Sequence, residues 1–219
     1  MVELVLFGGL GMVAGALARF VLARLPRGAL VDPPYCELAV GALWGMTGYA
    51  WAQCGMGGRW VPLLLGVGWL LVSAGAVDLL HRRLPDALTL PAIPLTLALV
   101  VPLGWAAVAR AAAGAAVLAA LYLVVHLAAP GSLGAGDVKL AVALGAAASS
   151  ASWAALLLSA VVAALLTALV GLLGAVARAL ARAGPCWRTG VPHGPSMLVA
   201  GWLAILARGT GATLPPGWS

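Results

Sequence analysis

Apolar stretches bounded by polar residues, glycine or proline recur along the chain at 3–22, 37–54, 61–80, 87–105, 110–128, 138–150, 152–176 and 195–208. Most approach the roughly 20 residues that a helix needs to cross the hydrocarbon core of a bilayer. The pattern therefore predicts an all-α, polytopic transmembrane bundle of about eight helices. The sixth and eighth stretches are short for a full crossing, and the break at Ser149, Ser150 and Ser152 is soft, so seven helices are the alternative. No internal repeat is visible, and residues 1–219 read as one integral-membrane domain. Abundant glycine and alanine suit close helix packing in lipid, where small side chains let backbones approach.

Composition agrees with the pattern. The chain is 63% hydrophobic and 8% charged, with a mean hydropathy of +1.08; soluble domains carry roughly 25% charged residues. The net charge of +6 does not point to nucleic acid, because the arginines are scattered between apolar segments and no basic cluster interleaves with aromatics. The expected partner is the lipid bilayer. The first apolar run carries Glu3 where a signal peptide would carry basic residues, and it is long enough to span, so it reads as a retained helix. Cys36, Cys54 and Cys186 are widely spaced and form no CxxC pair, which supports neither a zinc site nor a disulfide framework. No cofactor motif is present.

Basic residues divide unevenly between alternate loops. One set holds Arg19, Arg24, Arg27, Arg82, Arg83, Lys139, Arg178, Arg182 and Arg188, and the other holds Arg59, Arg110 and Arg208. Since cytoplasmic loops are enriched in lysine and arginine, the first set is expected inside and the N-terminus outside.

Against so few charges, Asp78 and Asp137 stand out. Each lies where a lipid-length apolar stretch meets a short polar loop, and an acid next to hydrocarbon is costly enough to suggest function. Asp78 ends the third helix, ahead of the turn His81-Arg82-Arg83-Leu84-Pro85-Asp86; the fifth helix delivers Gly134-Ala135-Gly136-Asp137-Val138-Lys139 to the same side. Two carboxylates at one membrane level can share a proton, because neighbouring like charges resist joint ionisation. The ionised partner can take a proton from water while the protonated one polarises a carbonyl, which is aspartyl protease chemistry. Gly134 and Gly136, lacking Cβ, allow the backbone to approach a substrate strand.

The motifs together resemble the type IV prepilin peptidases, membrane aspartic proteases of the GxGD type. The resemblance rests on Asp78 seven positions before Pro85, on Gly-Ala-Gly-Asp-Val-Lys at 134–139, and on Val191-Pro192-His193-Gly194-Pro195 followed by Gly201, with Glu37 at the start of the second helix. It implies an inner-membrane endopeptidase with catalytic Asp78 and Asp137, supported by Gly134, Gly136, Lys139, Pro85 and Asp86. Its substrates would be prepilins or pseudopilins, which would lose their short basic leader at the cytoplasmic face. His193 stands where the family usually has phenylalanine. Only about 14 residues join the first two apolar stretches, whereas family members that also methylate the new N-terminus carry a long cysteine-paired loop there. Cleavage with little or no methylation is the expectation.

The remaining polar residues have simpler readings. Asp86 suits the positive end of the fourth helix dipole, and Lys139 either anchors at the interface or acts on Asp137. Arg82 and Arg83 read as topology determinants, His81 as a solvated loop residue and His126 as an interhelical hydrogen-bonding group. Tryptophans such as Trp60, Trp105, Trp187 and Trp218 fall near span ends, as in an aromatic belt. The competing classes are a proton-coupled transporter, which would place acids near the bilayer midplane, and a non-catalytic component of pilus or secretion assembly.

Overall fold

The computed structural model describes residues 1–129, 133–180 and 191–211. Eight α-helices form among them: α1 Val2–Arg24, α2 Tyr35–Gln53, α3 Val61–His81, α4 Asp86–Val100, α5 Trp105–Ala128, α6 Ala135–Ala151, α7 Trp153–Leu180 and α8 Gly194–Gly209. Among the described residues five segments are long and apolar enough to cross a membrane: Val2–Arg24, Gly58–His81, Asp86–Leu103, Trp105–Ala128 and Trp153–Ala177. The protein is a multi-pass membrane protein built as an all-α bundle.

The soft break is a real boundary. Ser152 is extended (φ −173°, ψ 164°), which ends α6, and its Oγ accepts the Ala155 N–H at 3.0 Å, which starts α7. The main differences from the hydropathy reading lie between the fourth and fifth helices and at the end of α7, which runs to Leu180 instead of 176 and so takes in Arg178. The fourth helix stops at Val100 instead of running to 105, because Pro102 follows in a single 3₁₀ turn and Gly104 takes φ 101°. The fifth then begins at Trp105, so Arg110 lies inside α5 and not in a loop. Its guanidinium donates to the Ser150 carbonyl at 2.9 Å and, more weakly, to that of Ser149 at 3.4 Å, at the negative end of α6. Apolar counting separated these helices but misplaced the boundary between them, since the breaking residues carry no charge.

Burial divides the helices into two groups. Most of α3 and α8 is buried, as is nearly every residue of α6 from Leu140 to Ala151, whereas α1, α5 and α7 expose most of their side chains. This explains why α6 and α8 are short: protein surrounds them, so they need not match the full thickness of lipid. Close approach is built from small residues. A Cβ on Gly114 of α5 would overlap the Ser149 side chain of α6, and one on Gly145 would lie 2.6 Å from the Gly114 carbonyl. Ser149 Oγ, meanwhile, hydrogen-bonds to the Arg110 carbonyl at 2.9 Å.

Three tryptophans fasten helices from within. Indole N–H groups donate from Trp44 to the Leu65 carbonyl, from Trp69 to Ala14 and from Trp202 to Leu64, at 3.0–3.1 Å. These are packing residues, whereas Trp60 and Trp105 do lie at helix starts. Trp187 and Trp218 lie outside the described residues, as do Arg182, Arg188 and Cys186. Cys36 is buried in the first turn of α2 and Cys54 is exposed just past its end, a full helix length away.

Candidate active site

The three most buried helices present their ends at one end of the bundle. Asp78 occupies the last turn of α3 and is only 5% exposed. The helix closes one turn later because Arg82 adopts the left-handed region (φ 52°, ψ 44°) while its N–H donates to the Asp78 carbonyl at 2.7 Å. This conformation is uncommon for a residue with a Cβ. It turns the chain sharply through Leu84 and buried Pro85 into α4.

Asp137 lies in the first turn of α6, before the apolar run. Its Oδ2 accepts the Gly134 N–H at 3.0 Å, satisfying one of the unpaired donors at the helix start. Gly136 allows Leu84 to pack directly on this turn, since a Cβ there would lie 2.8 Å from Leu84 Cβ and 3.4 Å from its carbonyl oxygen. A Cβ on Gly134 would be 3.2 Å from Asp137 Oδ2. Gly136 thus serves the contact between the two acid-bearing segments, and Gly134 serves the turn that holds Asp137.

The third motif completes the arrangement. The Gly194 N–H, at the start of α8, donates to Asp78 Oδ2 at 3.1 Å. A Cβ at Gly194 would come within 2.9 Å of that same oxygen, so glycine is required for the hydrogen bond to form at this distance. Asp78 and Asp137 line one cavity of about 320 Å³, together with Arg82, Arg83, Leu84, residues 133–136 and Val191, Pro192 and His193. Asp137 is pushed up to about 6: desolvation raises it, the Gly134 N–H opposes the rise, and the charge of Asp78 adds to it. The two carboxylates are therefore within electrostatic reach of one another.

Other residues singled out by the sequence lie around this centre. Lys139 pairs with Asp86 at 2.6 Å, an exposed link between α6 and α4, so its structural partner is Asp86 and not Asp137. Glu37 is paired with Arg19 at 2.8 Å between α2 and α1 and is not part of the cavity wall. His126 Nδ1 is 2.7 Å from the Leu133 carbonyl, so it holds the segment just before the 134–139 motif. His81 is an exposed residue at the end of α3. Sequence reading missed Tyr122 and Thr167, whose hydroxyls lie 2.8 and 2.6 Å from the two ring nitrogens of His193. Neither belongs to a recognisable motif, and only the packing of α5 and α7 brings them to His193. Among the described residues no three His, Cys, Asp or Glu side chains converge as a metal site.

The structure is thus a helical membrane bundle with two carboxylates, Asp78 and Asp137, lining one cavity at the end of its most buried helices. The chain belongs to the type IV leader peptidase family, whose model matches residues 63–172, half of its length. The match runs from α3 into α7 and includes both Asp78 and Asp137, whereas the 191–195 motif lies beyond it. No curated protein and no solved structure matches the chain.

Proposed function

We propose that the protein is an aspartic endopeptidase that removes the basic leader of type IV prepilins or pseudopilins at the cytoplasmic face of the inner membrane. The observation that carries this reading is the shared cavity, which Asp78 and Asp137 both line, each accepting a hydrogen bond from a backbone N–H. In the proposed reaction the pair holds one proton. The ionised carboxylate takes a proton from water as it attacks the scissile carbonyl, and the protonated carboxylic acid hydrogen-bonds to the carbonyl oxygen. Collapse of the tetrahedral intermediate breaks the C–N bond, and the carboxyl pair returns a proton to the departing amine. A cavity at the end of the bundle suits a peptide bond next to a membrane helix better than a midplane ion path would.

Membrane orientation follows from the bias in basic residues, with the loop at 82–85 and the Gly134 segment facing the cytoplasm. The link between α1 and α2, residues 25–34, has no room for a cysteine-paired domain, so the protein cleaves without efficient methylation. The test is co-expression with a prepilin bearing a basic leader, followed by mass spectrometry of its N-terminus. Loss of the leader without an added methyl mass is expected; an uncut substrate refutes the peptidase reading. In parallel, Arg83→Cys should resist an impermeant thiol reagent in intact cells in which Arg59→Cys reacts, and the reverse pattern refutes the orientation.

A further inference from the structure

His193 lies in the cavity wall and immediately precedes α8, whose first residue supplies the hydrogen bond to Asp78. Both of its ring nitrogens are engaged. Nε2 is 2.8 Å from the Tyr122 hydroxyl of α5, and Nδ1 is 2.6 Å from the Thr167 hydroxyl of α7. The Thr167 hydroxyl already donates its single proton to the Ala163 carbonyl at 2.9 Å. With that proton on the Ala163 carbonyl, which can only accept, Thr167 accepts from His193; this arrangement puts the imidazole proton on Nδ1 and leaves Nε2 to accept from the Tyr122 O–H. Desolvation keeps this imidazole below the ordinary histidine range, consistent with a neutral ring.

The ring lies between two helices that share few other contacts. α5 and α7 touch only over a short stretch, so the imidazole bridges elements that are otherwise loosely joined. Its own carbonyl accepts the Met197 N–H at 3.1 Å, the first intrahelical bond of α8, which couples the position of the ring to that of the helix start. We propose that His193 is a positioning residue: held as its neutral Nδ1–H tautomer between Thr167 and Tyr122, it fixes the start of α8 so that the Gly194 N–H meets Asp78. This rests on the role assigned to Asp78 under Proposed function. A phenylalanine could fill the volume, but it would leave the buried Tyr122 hydroxyl without its acceptor and the half-buried Thr167 oxygen without its donor.

The experiment combines a spectroscopic and a kinetic reading on the full chain in detergent or nanodiscs. The chain has three histidines, so ¹⁵N-histidine labelling gives three ring systems, and the His193 signals are those missing from H193Q. The expected spectrum at neutral pH shows His193 protonated at Nδ1 and bare at Nε2. An Nε2–H or doubly protonated ring overturns the proposal. In a leader-cleavage assay with a prepilin bearing a basic leader, H193F lowers kcat by about tenfold or more, from unsatisfied buried partners, while KM is little changed. H193Q recovers most of kcat, since its amide can donate to Thr167 and accept from Tyr122. Equal kcat for wild type and H193F, or failure of H193Q to exceed H193F, also overturns it. If H193F does not accumulate, the tautomer and the H193Q rate still decide. If Asp78→Asn remains active, the catalytic reading fails, whereas the tautomer stands or falls independently.

Discussion

Gly194→Ala separates the needs of the fold from those of the site. Gly194 begins α8 and is not among the residues with positive φ, so nothing in its backbone conformation excludes alanine. On helix propensity alone the change is neutral or favourable, since a compatible Gly→Ala substitution stabilises by about 0.4–1 kcal/mol. At the site it is unfavourable. The new Cβ would lie 2.9 Å from Asp78 Oδ2 and 3.5 Å from its Cγ, so the carboxylate must retreat by about half an ångström to reach ordinary contact. That retreat lengthens the 3.1 Å hydrogen bond from the same residue's N–H. A hydrogen bond to a charged group contributes roughly 1.5–3 kcal/mol, and about 1.4 kcal/mol is a factor of ten in rate. Leader cleavage should therefore fall roughly ten- to hundredfold, while the melting temperature of the purified protein stays level or rises. Membrane levels are matched by immunoblot, and initial rates are compared by gel. Wild-type cleavage by Gly194→Ala would refute the claim that the Gly194–Asp78 contact sets the catalytic geometry; a large drop in melting temperature would show instead that the residue serves the fold.

Three further outcomes are expected. Asp86→Asn retains most activity, because the Asp86–Lys139 pair is exposed and such pairs contribute about 0–1 kcal/mol; inactivity at matched expression would place Asp86 in the chemistry. The pH–rate profile is bell-shaped: a second proton on the carboxyl pair removes the base at low pH, and loss of the shared proton removes the acid at high pH. Because Asp137 is raised to about 6, the alkaline limb lies near that value and not in the ordinary carboxylate range, and a profile flat across it contradicts a shared proton. Gly114→Ala destabilises the protein by about 1–3 kcal/mol through overpacking against Ser149, read as a lower melting temperature with a small change in the rate per folded molecule.

The sequence made the site legible where chemistry and location coincide. Asp78 and Asp137 are conspicuous because acids are scarce in lipid-length segments, and the alternation of helices places them at the same end. Helix boundaries were legible where charge or serine marked them, as at Ser152, and blurred where the break is made by Pro102 and Gly104 inside apolar sequence. Partners set by packing were not legible. The link from Lys139 to Asp86 depends on how α6 lies beside α4, and the Tyr122 and Thr167 contacts of His193 depend on how α5 and α7 approach α8. Nor does hydropathy distinguish a tryptophan at the interface from Trp69, whose indole ties α3 to α1. The hydrogen bond from Gly194 to Asp78 joins two motifs that were read separately, and a glycine directly after His193 hints at it only once the helix start is known.

The central claim is that Asp78 and Asp137 act as one unit, and the most direct measurement is cleavage of a leader-bearing prepilin by Asp78→Asn, Asp137→Asn and the double variant at equal membrane levels. Asparagine preserves size and an acceptor oxygen for the Gly194 or Gly134 N–H but cannot exchange the proton. Each single variant should lose nearly all activity, and the double should be scarcely worse than either, because groups that share one proton fail together. Substantial cleavage by either single variant would contradict the aspartyl mechanism.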